Sequence, residues 1–158
     1  MPEFNFDLGS PDAARAYNAL DDFTQGYIGA MFFTNSSDPD DRDLEHATFA
    51  ELAPGAHATV AELAPRALGQ IVAECARFQA SNRAALDEAI DTARIKGYDD
   101  KAAGRDFWFT RNHHSVGFWD RGLGEVGRKL TNASHAFGEV SLYRGDDGLR
   151  HRALHQTR

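Results

Sequence analysis

Residues 104–124 read GRDFWFTRNHHSVGFWDRGLG, and the folding of this stretch decides the architecture. It holds both tryptophans of the chain, Trp108 and Trp119, and three of the eleven phenylalanines, with Phe137 close behind. RDFWFTR and VGFWDR have the aromatic and threonine content of β-strands. NHHS between them reads as a polar turn. The expectation is a β-hairpin with strands at 105–111 and 116–121. Side chains alternate across a strand, so Phe107, Phe109 and Arg111 share one face and Trp108 and Thr110 the other. On the second strand Val116, Phe118 and Asp120 oppose Gly117, Trp119 and Arg121. With the phenylalanines inward, both tryptophans lie outward beside Arg121. Aromatic residues plus arginine make interface hot spots and base-stacking platforms. The competing arrangement covers both tryptophans with the N-terminal arm or the first helix.

Candidate binding residues are therefore Trp108, Arg111, Asn112, His113, His114, Trp119, Asp120 and Arg121. Arg111 and Arg121 could clamp a phosphate or carboxylate; alternatively, Asp120 and Arg121 pair to fix the following turn. Asn112, His113 and His114 sit at the hairpin tip, as an exposed contact loop. A metal site needs three or more converging ligands, and adjacent histidines point apart, so no metal site is expected. GLGEVG at 122–127 has the wrong spacing for a phosphate loop and carries Glu125 where the phosphate would approach. No catalytic residue and no cofactor is assigned.

Working outward from this stretch, Val126, Leu130, Ala133 and Phe137 recur at helical spacing and predict a helix over 125–137. Strands follow at 139–144 and 149–152, joined by the turn signal Asp147–Gly148. On the N-terminal side, Ser10, Pro11 and Asp12 form a helix-start signal, and apolar spacing predicts a helix over 12–33. Gly26 and Gly29 weaken that helix unless they permit close packing. A longer helix is predicted over 65–95, kinked near Ser81–Asn82 and stopped by Gly97. Cys75 lies on its apolar stripe and reads as a small buried hydrophobe. The expected fold is α+β. N-terminal helices pack on a small C-terminal antiparallel sheet built as β-hairpin, helix, β-hairpin. The 158 residues make a single domain, with a mainly helical part at 1–104, a ββαββ part at 105–152, and loose ends at 1–10 and 153–158.

The charge is unevenly spread. Residues 1–104 carry 18 Asp/Glu and 8 Lys/Arg, and residues 105–158 carry 6 and 9, so the net −7 divides into −10 and +3. Asp38, Asp40, Asp41, Asp43 and Glu45 concentrate the acidity in a loop punctuated by Pro39. The loop lacks the glycine and terminal glutamate of an EF-hand. Its acids either confer solubility or form an acidic surface that meets a basic protein partner. A single cysteine leaves no intrachain disulfide, the opening residues show no secretory leader, and no apolar run is long enough to span a membrane. A cytoplasmic protein is expected.

The segment GRDFWFTRNHHSVGFWDRGLG, the helix ending in Phe137–Gly138 and the run Leu142–Gly148 together resemble a family of small, uncharacterised tailed-bacteriophage and mobile-element proteins. Those proteins carry a GHDFWLTRNGHGAGFWDRGLG-like motif. The resemblance covers about residues 70–150, and its matching positions include Asp106–Trp108, Thr110–Asn112, His114 and Gly117–Arg121. The chain departs at Arg105, where the family has His, and at His113 and Ser115, where Gly is common. Glycine would allow a positive φ there. The family supplies no established activity. It implies a phage or prophage setting, expression in a bacterial host cytosol and an accessory role.

These observations lead to a non-enzymatic accessory protein that binds or inhibits a host protein machine, such as a CRISPR or restriction defence complex. Two alternatives stay open. One is a nucleic-acid-binding accessory protein using the aromatic and arginine hairpin 105–121. The other is a hydrolase built on His114 and Asp120. The partner is a host protein or complex, with nucleic acid as the alternative and a homodimer also compatible with the exposed hairpin.

Overall fold

The computed structural model describes residues 11–35, 63, 65–144 and 149–154. The loop Asp38–Glu45, the arm 1–10 and the turn Asp147–Gly148 lie outside the described residues. The element order is α1 (Pro11–Asn18), α2 (Asp22–Asn35), α3 (Pro65–Thr92), α4 (Asp100–Arg111), a short 3₁₀ turn (Phe118–Asp120), α5 (Glu125–Ala136), β1 (Val140–Arg144) and β2 (Arg150–Leu154). The described part is thus mostly helical, with one two-stranded antiparallel sheet. Val140 pairs with Leu154 and Leu142 with Arg152. Ala153 and Leu154, expected in a loose end, belong to β2.

The predicted first helix is two helices. Asp21 breaks it by capping α2: its carboxylate accepts from the Thr24 amide at 2.8 Å, satisfying one of the orphan N–H groups of a helix start. The long helix α3 carries the expected kink at Asn82, whose φ of −126° and ψ of 17° leave the helical region. The Asn82 side chain donates to the Phe78 carbonyl, a local bond that competes with the helix ladder. Cys75 is buried in the core, and burial pushes its thiol well above the ordinary range.

The expected hairpin 105–121 does not form. Residues 105–111 are the body of α4, and 116–121 is a loop leading through the 3₁₀ turn. The reason is burial on every side. Each residue from Ala102 to Arg111 is buried, so α4 has no polar stripe and shows no amphipathic period. It crosses α2 with backbone against backbone. A Cβ on Gly26 would stand 1.9 Å from the Lys101 carbonyl oxygen, and one on Gly104 would stand 1.9 Å from that of Phe23. Gly26 therefore permits close packing, as its sequence position suggested. The side chains of α4 then fill an aromatic core. Phe107 stacks on Phe78 at 4.1 Å and meets Phe137 edge-on at 5.3 Å, arrangements that add to simple area burial.

Candidate binding surface

Arg111, at the last position of α4, is fully buried. A guanidinium has five N–H donors, and five hydrogen bonds account for them. Nε donates to the Gly138 carbonyl at 2.8 Å and Nη2 to that of Phe137 at 2.9 Å. Nη1 donates to the Tyr27 hydroxyl at 3.1 Å and to Glu74 at 3.2 Å, and Nη2 reaches the other Glu74 oxygen at 3.3 Å. The two carbonyls lie at the C-terminal end of α5, where a cation is favoured. Arg111 thus ties α2, α3, α4 and α5 together. Burial opposes its charge, but Tyr27 and Glu74 outweigh that and hold its pKa above the usual value. It has no donor left to clamp a ligand.

Asp106 makes the second buried pair. Arg121 grips it through Nη2 at 2.8 Å and Nε at 3.1 Å, and the Tyr98 hydroxyl donates to it at 2.7 Å. Burial pushes the Asp106 carboxyl up, against the pull of Arg121 and Tyr98. This pair draws the chain beyond the 3₁₀ turn back onto α4. Arg121 reaches Asp120 only at 3.7 Å, so Asp106, and not the neighbouring acid, is its main partner.

The residues NHHS end α4. The His113 amide donates to the Thr110 carbonyl and the His114 amide to that of Phe109, the two bonds of a Schellman ending. His113 supplies the left-handed residue, with φ of 57°. This position thus keeps a positive φ although it is not glycine. Asn112 donates to the Trp108 carbonyl and accepts from the Val140 amide at 2.8 Å, which moors β1. The His113 ring stacks on His135 at 4.5 Å and its Nε2 lies 3.4 Å from Glu139. His114 packs edge-on against Phe109. Asp120 instead accepts from the Gly117 amide, so the structure does not join His114 and Asp120 into a dyad.

The two tryptophans part company. Trp108 is buried against Tyr27 and donates its indole N–H to Thr34 Oγ1 at 2.8 Å. Trp119 is 55% exposed. It lies in the 3₁₀ turn, which is held at both ends. The Phe118 amide donates to Thr110 Oγ1, the Asp120 amide to the Gly117 carbonyl, and Phe118 is buried in the core. Gly117 has no space for a side chain: a Cβ would meet Thr110 Oγ1 at 2.3 Å. Beyond the turn, Gly122 and Gly124 have φ of 69° and 64°. Together they open a cleft of about 320 Å³ lined by Trp119, Leu123, Gly127, Arg128 and Thr131. The hydroxyl of Thr131 has no hydrogen-bond partner there and is closed off from solvent. Arg128 is among the arginines that the nucleic-acid reading assigns to phosphates; Leu123 was not expected at a binding surface.

Of the eight candidate residues, Trp108 and Arg111 are core. Asn112, Asp120 and Arg121 hold turns and helix ends. His113 and His114 sit at the far end of α4, where Trp108, Asn112 and His114 line a cleft of about 260 Å³ with Thr34 and Glu139, and Trp119 alone of the eight stands at the cleft beside Leu123. Among the described residues, no group of three or more His, Cys, Asp or Glu could hold a metal ion, and no helix is long and apolar enough to cross a membrane. The chain matches no protein-family model, no curated protein and no solved structure.

Proposed function

We propose that this protein is a phage-encoded, non-enzymatic accessory protein that binds a host protein machine, such as a CRISPR or restriction complex, with Trp119 as its anchor. The observation that carries the reading is the exposure of Trp119 on a turn whose backbone is fixed by Thr110, Gly117 and the Asp106–Arg121 pair. A side chain carried on a fixed backbone loses less freedom on binding than one on a loose loop, and tryptophan is enriched among residues that dominate interfaces. Leu123 and Arg128 line the adjoining cleft and give it mixed apolar and cationic character. The phage setting rests on the resemblance of residues 70–150. Single-stranded nucleic acid is the alternative partner. It keeps Trp119 as a stacking platform, with Arg128 and Lys129 as phosphate contacts, but loses Arg111 to the core and Arg121 to its pair with Asp106.

The test is plaque formation by phage on bacteria carrying a defined CRISPR or restriction system and expressing the chain. The wild type should restore plaquing, and Trp119→Ala should abolish that effect while melting at the wild-type temperature. Gel shifts with labelled single strands separate the alternative. Tight, salt-sensitive binding lost in Trp119→Ala would replace the protein partner with nucleic acid.

A further inference from the structure

Another cleft lies between the start of α3 and β2. It has a volume of about 270 Å³ and is lined by Arg66, Ala67, Gln70, His151 and Arg152. Arg66, Gln70 and Glu74 recur every four residues, so they share one face of α3. Arg152 enters from β2 and pairs with Glu74. That same Glu74 oxygen also accepts from the fully buried Arg111 at 3.2 Å. One carboxylate therefore serves two guanidiniums, each of which is always charged. Among the described residues, one positive charge is left over in a place where little water can reach it, since the Arg152 side chain is only 10% exposed. Moreover, Arg152 Nε is closed off from solvent and has no hydrogen-bond partner.

A buried charge without a partner is costly, and so is an unsatisfied donor. The cost of the charge falls if an anion enters the cleft beside Arg152. Arg66 adds a further cation at the rim, and Gln70 adds an amide able to donate. The cleft also lies at the first turn of the 28-residue helix α3, the positive end of its dipole. The volume is near the lower limit of about 300 Å³ for small-molecule sites, more than a bare oxyanion fills.

We propose that this cleft binds the phosphate or carboxylate group of a small organic ligand, held by the Arg152 guanidinium, Arg66 and Gln70. It is a site separate from the Trp119 surface and independent of what that surface binds. The balance of charge also explains why an acidic protein places two arginines here. The chain's negative charge disfavours anions in general, and the local excess at Arg152 reverses this at one point.

The experiment titrates the full chain with inorganic phosphate at constant ionic strength, followed by calorimetry and by thermal melts. Saturable one-site binding is expected, with Arg66→Gln weakening it at least about tenfold, the loss of one charge-assisted contact. Arg66 is exposed, so this variant should fold normally, whereas Arg152→Gln strips Glu74 of a partner. Gln70→Glu supplies a carboxylate from the protein itself. It should abolish the phosphate response and raise the melting temperature in phosphate-free buffer. Glycerol 3-phosphate and succinate, run beside glycerol, distinguish a phosphate ester from a carboxylate ligand, and tighter binding of either than of inorganic phosphate supports the site. Absence of saturable binding by all three anions would overturn the proposal. So would phosphate affinity unchanged in both Arg66→Gln and Gln70→Glu.

Discussion

The dipeptide Phe-Trp occurs twice, at 107–108 and 118–119, and the two copies meet opposite fates. Both phenylalanines are fully buried and both stack on Phe78. Trp108, one helical position further along α4, turns toward α2 and is 3% exposed. Trp119, one position further along a 3₁₀ turn, turns toward solvent. The lesson is that composition decides which segment reaches the core, while backbone form decides what the next residue does. In α4 every direction is covered, so any neighbour of Phe107 is also buried. In the turn only one direction is covered, because Gly117 and the Asp106–Arg121 pair hold the backbone flat against the end of α4.

The sharpest way to break this contrast is to remove what closes the core around α4. Arg111→Ala leaves Glu74 half-paired and the carbonyls of Phe137 and Gly138 without their donor. Breaking a buried pair from one side costs about 3–5 kcal/mol, a large share of the ordinary 5–15 kcal/mol of stability. Chemical denaturation should therefore show this variant unfolded or nearly so. A loss under about 1 kcal/mol would show that Arg111 is not the tie between the four helices.

The tryptophans themselves give the direct comparison. Trp108→Ala empties a core site and orphans the hydrogen bond to Thr34, so it should cost about 3–5 kcal/mol. Trp119→Ala removes a mostly exposed side chain and should change stability by no more than about 0.5 kcal/mol. Equal losses in paired urea melts would erase the distinction and place Trp119 in the core.

This contrast also shows where the sequence was legible. The apolar stripe of α3, with its kink at Asn82, and the stripe of α5 could be read because each helix has one wet face. The β1–β2 pair could be read from the alternation of 139–144 and the turn signal after it. Helix α4 could not, since the FWFTR run has strand composition and no polar face to mark a helical period. The one available signal was at its ends. Asp99 caps the helix, its carboxylate accepting from the Ala102 amide at 2.9 Å, and Asp100 and Arg111 place charges suited to the dipole at each end. The candidate site was legible only at Trp119. Arg111 and Arg121 were read as a clamp for an anion, or Arg121 as the partner of Asp120; they pair instead with Glu74 and Asp106, which lie 37 and 15 positions away.

The smallest expected effect lies at the two ends of the Schellman turn and separates α4 from the Trp119 turn by pH. Partial burial pulls the pKa of His114 below its ordinary 6.5. Partial burial also lowers that of His135, helped by the nearby His113 ring and opposed by a hydrogen bond to the Thr110 backbone. A histidine depressed in the folded state takes up its proton more readily when the chain unfolds. Its full contribution to stability is therefore present above pH 6.5 and is lost as pH falls below that value toward the folded-state pKa. Burial raises the Asp106 carboxyl, which acts with the opposite sign, so the histidine part must be read as a difference between variants. Melting temperatures from pH 7.5 to 5 should fall more steeply for wild type than for His114→Gln or His135→Gln. His113→Gln should flatten the curve less than His135→Gln, because it removes the second cause and leaves the burial. Trp119→Ala should follow the wild-type curve throughout, since its ring touches neither histidine turn. Parallel curves for wild type and both Gln variants would mean that these imidazoles titrate as they do in the unfolded chain, and the packing at the end of α4 would have to be looser than the ring contacts indicate.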